Sequence, residues 1–247
     1  MSPRSLLFGV SLALVSFTKD SAAEPSEALP RDVALRLDFR MDQTDLRLAH
    51  GVRRIADSFG GVLEFTNALQ YAELTFARKL DAIEAATIGG WFYPRRAGEG
   101  AWMFRGVPEI APLGERRFVP AKDWVNFMLG TDQRGFFMAC LNGNGEMPFP
   151  LVTLEEPRIN AWHQLVLVKD AEGGQKFYHN GTLVHSDADS CWAGKVWPFH
   201  DTADGEPLRL AMPQGGFIGE VWVAKRALAA AEITAEDRKS TRLNSSH

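Results

Sequence analysis

The sequence predicts an all-β fold, with short antiparallel strands packed as a sandwich or barrel and one short helix near the C-terminus. Three observations predict it. First, apolar and polar residues alternate: Val33, Leu35, Leu37 and Phe39 fall on one side, Arg36, Asp38 and Arg40 on the other. That period of two marks a strand with one buried face. Second, Gly-rich and Pro-rich turns punctuate the chain at short intervals. Third, Asn180-Gly181 separates two strand-like runs, and this dipeptide accepts the positive φ angles of a two-residue hairpin turn.

The elements follow in order. Residues 33–40 form the opening strand, Gly61-Val62-Leu63-Glu64-Phe65 a second, and Ala72, Leu74 and Phe76 alternate in a third. Residues 87–93 (TIGGWFY) are β-branched and aromatic and stop at Pro94, as a strand does where the next residue cannot donate a ladder hydrogen bond. Residues 101–104, 124–129 and 136–141 continue the series. The best-defined unit comes next: a strand at 162–169, a turn at Glu172-Gly173-Gly174, a return at 175–179, then Asn180-Gly181 and a short strand at 182–184. Strands at 208–211 and 217–223 close the domain. A helix fits residues 229–233, and a weaker one fits 78–85. No repeat or low-complexity stretch interrupts the pattern.

The ends differ from the middle. Residues 1–23 run from a basic start through an apolar stretch to Ser21-Ala22-Ala23. This is the order of a secretory signal peptide, and the apolar stretch is shorter than a membrane span of ~20 residues. Residues 24–32 read as a linker and 33–236 as the domain. Residues 237–247 (DRKSTRLNSSH) lack apolar periodicity and read as translated sequencing adapter, so the native gene is expected to continue differently after Glu236.

Hydrophobic residues make up 45% of the chain, enough for a core, and the formal net charge is −4. Removing the leader and the tail, both net basic, makes the domain more acidic still. An acidic domain without a basic stripe is a poor partner for nucleic acid or an anionic membrane. The composition points instead to a neutral sugar, a polysaccharide or a protein surface, met outside the cytoplasm: secreted, periplasmic or at the cell surface. Cys140 and Cys191 are candidates for a disulfide in such a compartment. Cys140 sits equally well as a buried thiol in its Phe-rich run.

Several segments in their order resemble a known family. Ala86-Thr87-Ile88-Gly89-Gly90-Trp91-Phe92-Tyr93-Pro94, then Trp162-His163-Gln164-Leu165-Val166, Phe177-Tyr178-His179-Asn180-Gly181-Thr182-Leu183-Val184 and Gly219-Glu220-Val221-Trp222-Val223 are similar to the strands of laminin G-like domains of the concanavalin A-like lectin/glucanase superfamily. Arg226-Ala227-Leu228 with Glu232-Ile233 is similar to the family's closing helix, although Ala229 stands where a capping Ser is usual, which should fray that helix. The resemblance implies a two-sheet antiparallel jelly-roll sandwich. It implies a non-catalytic binding or accessory module for carbohydrate or protein, such as the N-terminal domain of a longer enzyme, with no cofactor except calcium in some members. The alternative is a glycoside hydrolase on the same fold.

The hydrolase alternative needs paired carboxylates about 5–5.5 Å apart for a retaining mechanism. Each expected strand carries at most one acid: Asp38, Glu64, Glu73 or Glu220. His163 and His179 lie on strands expected to pair and read as cross-strand or surface polar residues. Asn142, Asn144 and Glu146 space oxygen ligands two apart in a Gly-rich turn, a pattern open to calcium or to ordinary turn chemistry. Asp187 and Asp189 form a similar pair. For ligand binding, the connection 186–207 crowds Trp192, Trp197, Phe199 and His200 without strand periodicity. Such aromatics stack on the apolar faces of sugars, or pack as a lid over the sandwich edge. Trp102 and Trp124 either line a concave face or belong to the core.

Overall fold

Alternation along the chain becomes two antiparallel sheets in the computed structural model of the protein. The structure describes residues 33–40, 45–57, 60–74, 85–105, 127–141, 151–153, 155–172, 174–186 and 207–244, all within the unit Asp32–His247. One sheet contains β1 (Val33–Leu37), β3 (Arg53–Asp57), β4 (Gly60–Phe65), β6 (Ala86–Pro94), β11 (His163–Lys169), β12 (Gln175–His179), β13 (Thr182–Ser186) and β15 (Gly216–Ala224). The other contains β2 (Leu46–Ala49), β5 (Tyr71–Leu74), β7 (Gly100–Arg105), β8 (Phe127–Thr131), β9 (Phe137–Leu141), β10 (Leu151–Val152) and β14 (Leu208–Ala211). The first runs β13-β12-β11-β6-β15-β4-β3, with β1 added along β15; the second runs β10-β9-β8-β7-β14-β5-β2. A helix, α1 (Ala230–Asn244), follows β15. This is the β-sandwich expected, with one helix among the described residues.

The core lies between the sheets because each strand turns its apolar parity inward. Leu37, Leu63, Phe65, Ile88, Phe92, Leu165, Leu167 and Phe177 from the first sheet meet Met103, Phe127, Leu129, Phe137, Leu208 and Leu210 from the second, all buried. A bulge between Ala101 and Met103 lets the consecutive Trp102 and Met103 both join this core, which strict alternation would forbid.

Three strands were not anticipated. β2, β3 and β10 are short and lie at or near sheet edges, where one face and one ladder suffice and the hydrophobic signal is weak. The opening strand is shorter than its alternation suggests. Asp38 Oδ1 accepts the Arg40 N–H at 3.0 Å, a side-chain turn that ends β1 at Leu37. α1 is longer than expected. Its missing Ser cap is replaced: Glu232 accepts the Ala229 N–H at 2.8 Å, half of a capping box. Arg226 grips the same carboxylate at 3.0 and 2.6 Å. The weaker helix expected at 78–85 falls, but for Ala85, outside the described residues.

Candidate functional site

The face of the first sheet that points away from the core carries an aromatic row, and the ladder register explains its assembly. In β6 the inward Phe92 forces its neighbours Trp91 and Tyr93 outward. Phe217 of β15 lies opposite Tyr93 on one side and Glu64 of β4 on the other. Glu64 in turn lies opposite Arg53 of β3. Trp162 immediately precedes β11, whose His163 pairs with Phe92. Trp162, Tyr93, Phe217, Glu64 and Arg53 therefore line up across neighbouring strands.

Tyr93 is the centre of the row. Its ring lies 5.4 Å from Trp162, at 63°, and 5.4 Å from Phe217, at 58°. The Arg95 guanidinium sits 4.5 Å from the centre of the Phe217 ring, a cation–π contact. Glu64 holds two guanidinium groups, Arg95 Nη2 at 3.2 Å and Arg53 Nη2 at 2.5 Å. The Glu64 side chain is only 9% exposed, whereas those of Arg95 and Arg53 are 42% and 67% exposed. The three rings are half-buried. A sunken carboxylate thus fixes two cations at the surface beside partly open aromatic faces.

Backbone detail makes room for the largest ring. β15 bulges between Ile218 and Val221, and a Cβ at Gly219 would come within 3.3 Å of the Trp162 ring. Glycine at the bulge lets that indole lie close over the strand. Further along the same face, Trp222 covers Gly89, where a Cβ would come within 2.5 Å of its ring. Glu220 pairs with Arg36; burial pushes its carboxyl up, and Arg36 opposes that shift. Gln164, opposite Trp91, is fully buried with both amide atoms lacking a hydrogen-bond partner.

The residues singled out from sequence are distributed as follows. Trp192, Trp197, Phe199 and His200 lie outside the described residues, as do Asn142, Asn144 and Glu146, Asp187 and Asp189, Trp124, Cys191 and the side chain of Cys140. Trp102 is a core residue, 1% exposed. Its Nε1 donates to Gln214 at 3.0 Å, so it does not line an open face. The strand acids each meet an arginine: Asp38 with Arg40, Glu64 with Arg53 and Arg95, Glu73 with Arg209 and Arg47, Glu220 with Arg36. Among the described residues no group of three or more His, Cys, Asp and Glu could hold a metal ion. No helix among them is long and apolar enough to cross a membrane.

His163 and His179 do meet across their strands, His163 buried and His179 half-buried on the inner side of the sheet. His163 is 3% exposed, and the Phe137 ring of the second sheet lies 4.9 Å and 4.4 Å from the two imidazoles.

The aromatic row itself was missed from sequence. Its signal was present: Trp91, Phe92 and Tyr93 are consecutive, so β6 must carry aromatics on both faces.

A family model described as Laminin_G_3, of the concanavalin A-like lectin/glucanases superfamily, matches residues 67–234. Among curated proteins none matches the chain in sequence. In structure the chain is similar to domain 4 of AbnA, a GH43 extracellular arabinanase from Geobacillus stearothermophilus, in complex with arabinotriose. The TM-score is 0.60 at 15% identity, covering 83% of this chain and 97% of that domain. It is also similar to the binding domain of botulinum neurotoxin DC in complex with SialylT, with TM-score 0.59 at 12% identity, covering 85% of this chain and 52% of that one. The botulinum neurotoxin type G receptor binding domain gives 0.57 at 12%, covering 85% and 51%. The chain spans about half the length of these toxin domains.

Proposed function

The chain belongs to the concanavalin A-like lectin/glucanases superfamily, and from that premise we propose that it is a carbohydrate-binding module acting outside the cell, with the outer aromatic row as its binding face. The row of Trp162, Tyr93 and Phe217 beside Arg95, Glu64 and Arg53 carries this reading. A pyranose or furanose ring has an apolar C–H face and a rim of hydroxyls. Aromatic rings receive the first, and guanidinium donors with a fixed carboxylate receive the second. Similar folds in complex with arabinotriose and with SialylT support the reading.

Bulk hydrophobicity would not suffice. The rings are half-buried, so a ligand must complete their burial while satisfying the charged groups beside them. That favours a sugar over a purely apolar ligand, which would strip water from Arg53 and Arg95 without replacing its hydrogen bonds.

A glycan array probed with the purified protein tests the proposal. Binding to one or more glycan classes is expected. Absence of binding across plant, bacterial and animal glycans would end it.

A further inference from the structure

We infer that this face selects glycans that carry carboxylates, as a single free chain, and that it recognises the acid group through Arg53 and Arg95 without a metal ion. The inference rests on the carbohydrate-binding reading above. Its first support is charge. Two guanidinium groups flank one carboxylate in the row, so the face holds a local positive surplus on a chain whose formal net charge is −4. The surplus is accessible, since both arginine side chains are substantially exposed while Glu64 is sunken.

The second support is donor geometry. Glu64 offers one oxygen to each arginine, Oε1 to Arg95 and Oε2 to Arg53, and each guanidinium answers through Nη2. A guanidinium has five N–H donors in a rigid fork, so each keeps donors for a second acceptor. Arg95 is also held over Phe217, so its fork is placed before a ligand arrives. A carboxylate on a sugar seated on Tyr93 beside the Arg95-covered Phe217 ring would accept from that fork in the two-point manner such groups favour. Neutral hydroxyls would use the same donors with weaker hydrogen bonds.

The third support concerns the form of the glycan. The rings are inclined at 63° and 58° to one another about Tyr93. Three rings so inclined cannot lie flat together on an ordered polysaccharide surface. They can follow the successive faces of one chain that turns about its own axis.

Isothermal titration tests this with three acidic oligosaccharides (galacturonate, alginate and hyaluronan oligomers) and the carboxyl-reduced, neutral form of each. At least one acidic oligomer is expected to bind about tenfold or more tightly than its reduced form. That preference should shrink at high salt, persist with a chelator, and disappear in Arg53→Gln/Arg95→Gln. Tight binding of reduced forms equal to that of the acidic ones overturns the inference and leaves the carbohydrate reading standing. A preference that survives the double substitution, or that vanishes with chelator, also overturns it. Absence of binding by every oligomer, alongside an array that is blank for neutral glycans, removes both.

Discussion

Buried His163 and half-buried His179 face each other on the inner side of the first sheet, Nδ1 of the first 3.0 Å from Nε2 of the second. The other nitrogen of His163, Nε2, lies 2.8 Å from the Arg158 carbonyl and must donate to it. Nδ1 of His163 is then the acceptor and His179 Nε2–H the donor, an arrangement that suits two neutral rings. Burial lowers both basicities; at His163 the hydrogen bond to the Arg158 carbonyl opposes that shift and the Arg158 charge adds to it, while His179, where a protonated His163 would repel a second proton, falls to about 4.

The sign of the pH effect follows. Between pH 6.5 and about 4 the unfolded chain binds a proton at His179 that the folded chain refuses, so stability falls as pH drops through that window. The full effect of His179 alone is on the order of 3 kcal/mol. Chemical denaturation at a series of pH values should show this slope in the wild type, and His179→Leu should flatten it. A slope unchanged by that substitution would contradict the assignment.

Glu232 joins three things: the first turn of α1, the Ala229 N–H and Arg226. Its carboxyl is held down at about 2, first by Arg226 and then by the Ala229 amide. This stabilisation is present above the ordinary carboxyl range and is lost as pH falls towards 2. The site is exposed, so salt screens the ion pair and the loss stays small. Glu232→Ala should cost about 0.5–1 kcal/mol in thermal unfolding, and Ala229→Ser should regain part of it by supplying an ordinary cap. A variant as stable as wild type would mean that α1 adds nothing to the domain.

The hairpin β11–β12–β13 was readable because its determinants are local. Asn180 and Gly181 both adopt the positive φ angles that their dipeptide suggested, 47° and 72°. The inward parity of Leu35, Leu37 and Phe39 was readable for the same reason. The row was not, because it is assembled by register between distant strands: residue 162 with 93, 93 with 217, 217 with 64. Alternation tells that Tyr93 faces away from Phe92. It does not tell that Trp162 will arrive beside it, or that a bulge at 219–220 will open the space. The ligand candidates at 192–200 drew on the opposite cue, aromatics without periodicity, and remain an expectation.

Two glycines on the outer face should respond differently to a methyl group. A Cβ at Gly89 would lie 2.5 and 2.7 Å from ring atoms of Trp222, itself 3% exposed. Gly89→Ala should therefore cost about 1–3 kcal/mol, as overpacking does. At Gly219 the nearest atoms, of the half-buried Trp162 ring and of Trp91 Cβ, lie 3.3 Å away, tight but far short of the overlap at Gly89. Gly219→Ala should change stability by less than about 1 kcal/mol while weakening glycan binding. Equal losses of stability would show that Trp162 is as firmly packed as Trp222.

Gln164 offers a test of packing without function. Its amide is buried with neither polar atom satisfied, a state that costs about 1–3 kcal/mol for a buried group. Gln164→Met keeps the side-chain length and removes the polar atoms. It should raise the midpoint of denaturation or leave it unchanged. A clear loss would place a hydrogen-bond partner at this amide.

The most direct measurement is the affinity of Trp162→Ala for the glycan that binds best to the wild type. Leu183→Ala serves as a control: this residue is exposed on β13 and takes no part in the row. Loss of the indole at one end of the aromatic row should weaken binding by about 2 kcal/mol, near thirtyfold. Leu183→Ala should bind as wild type, and both variants should retain a cooperative melt. Undiminished affinity in a folded Trp162→Ala would contradict the claim that this face holds the sugar.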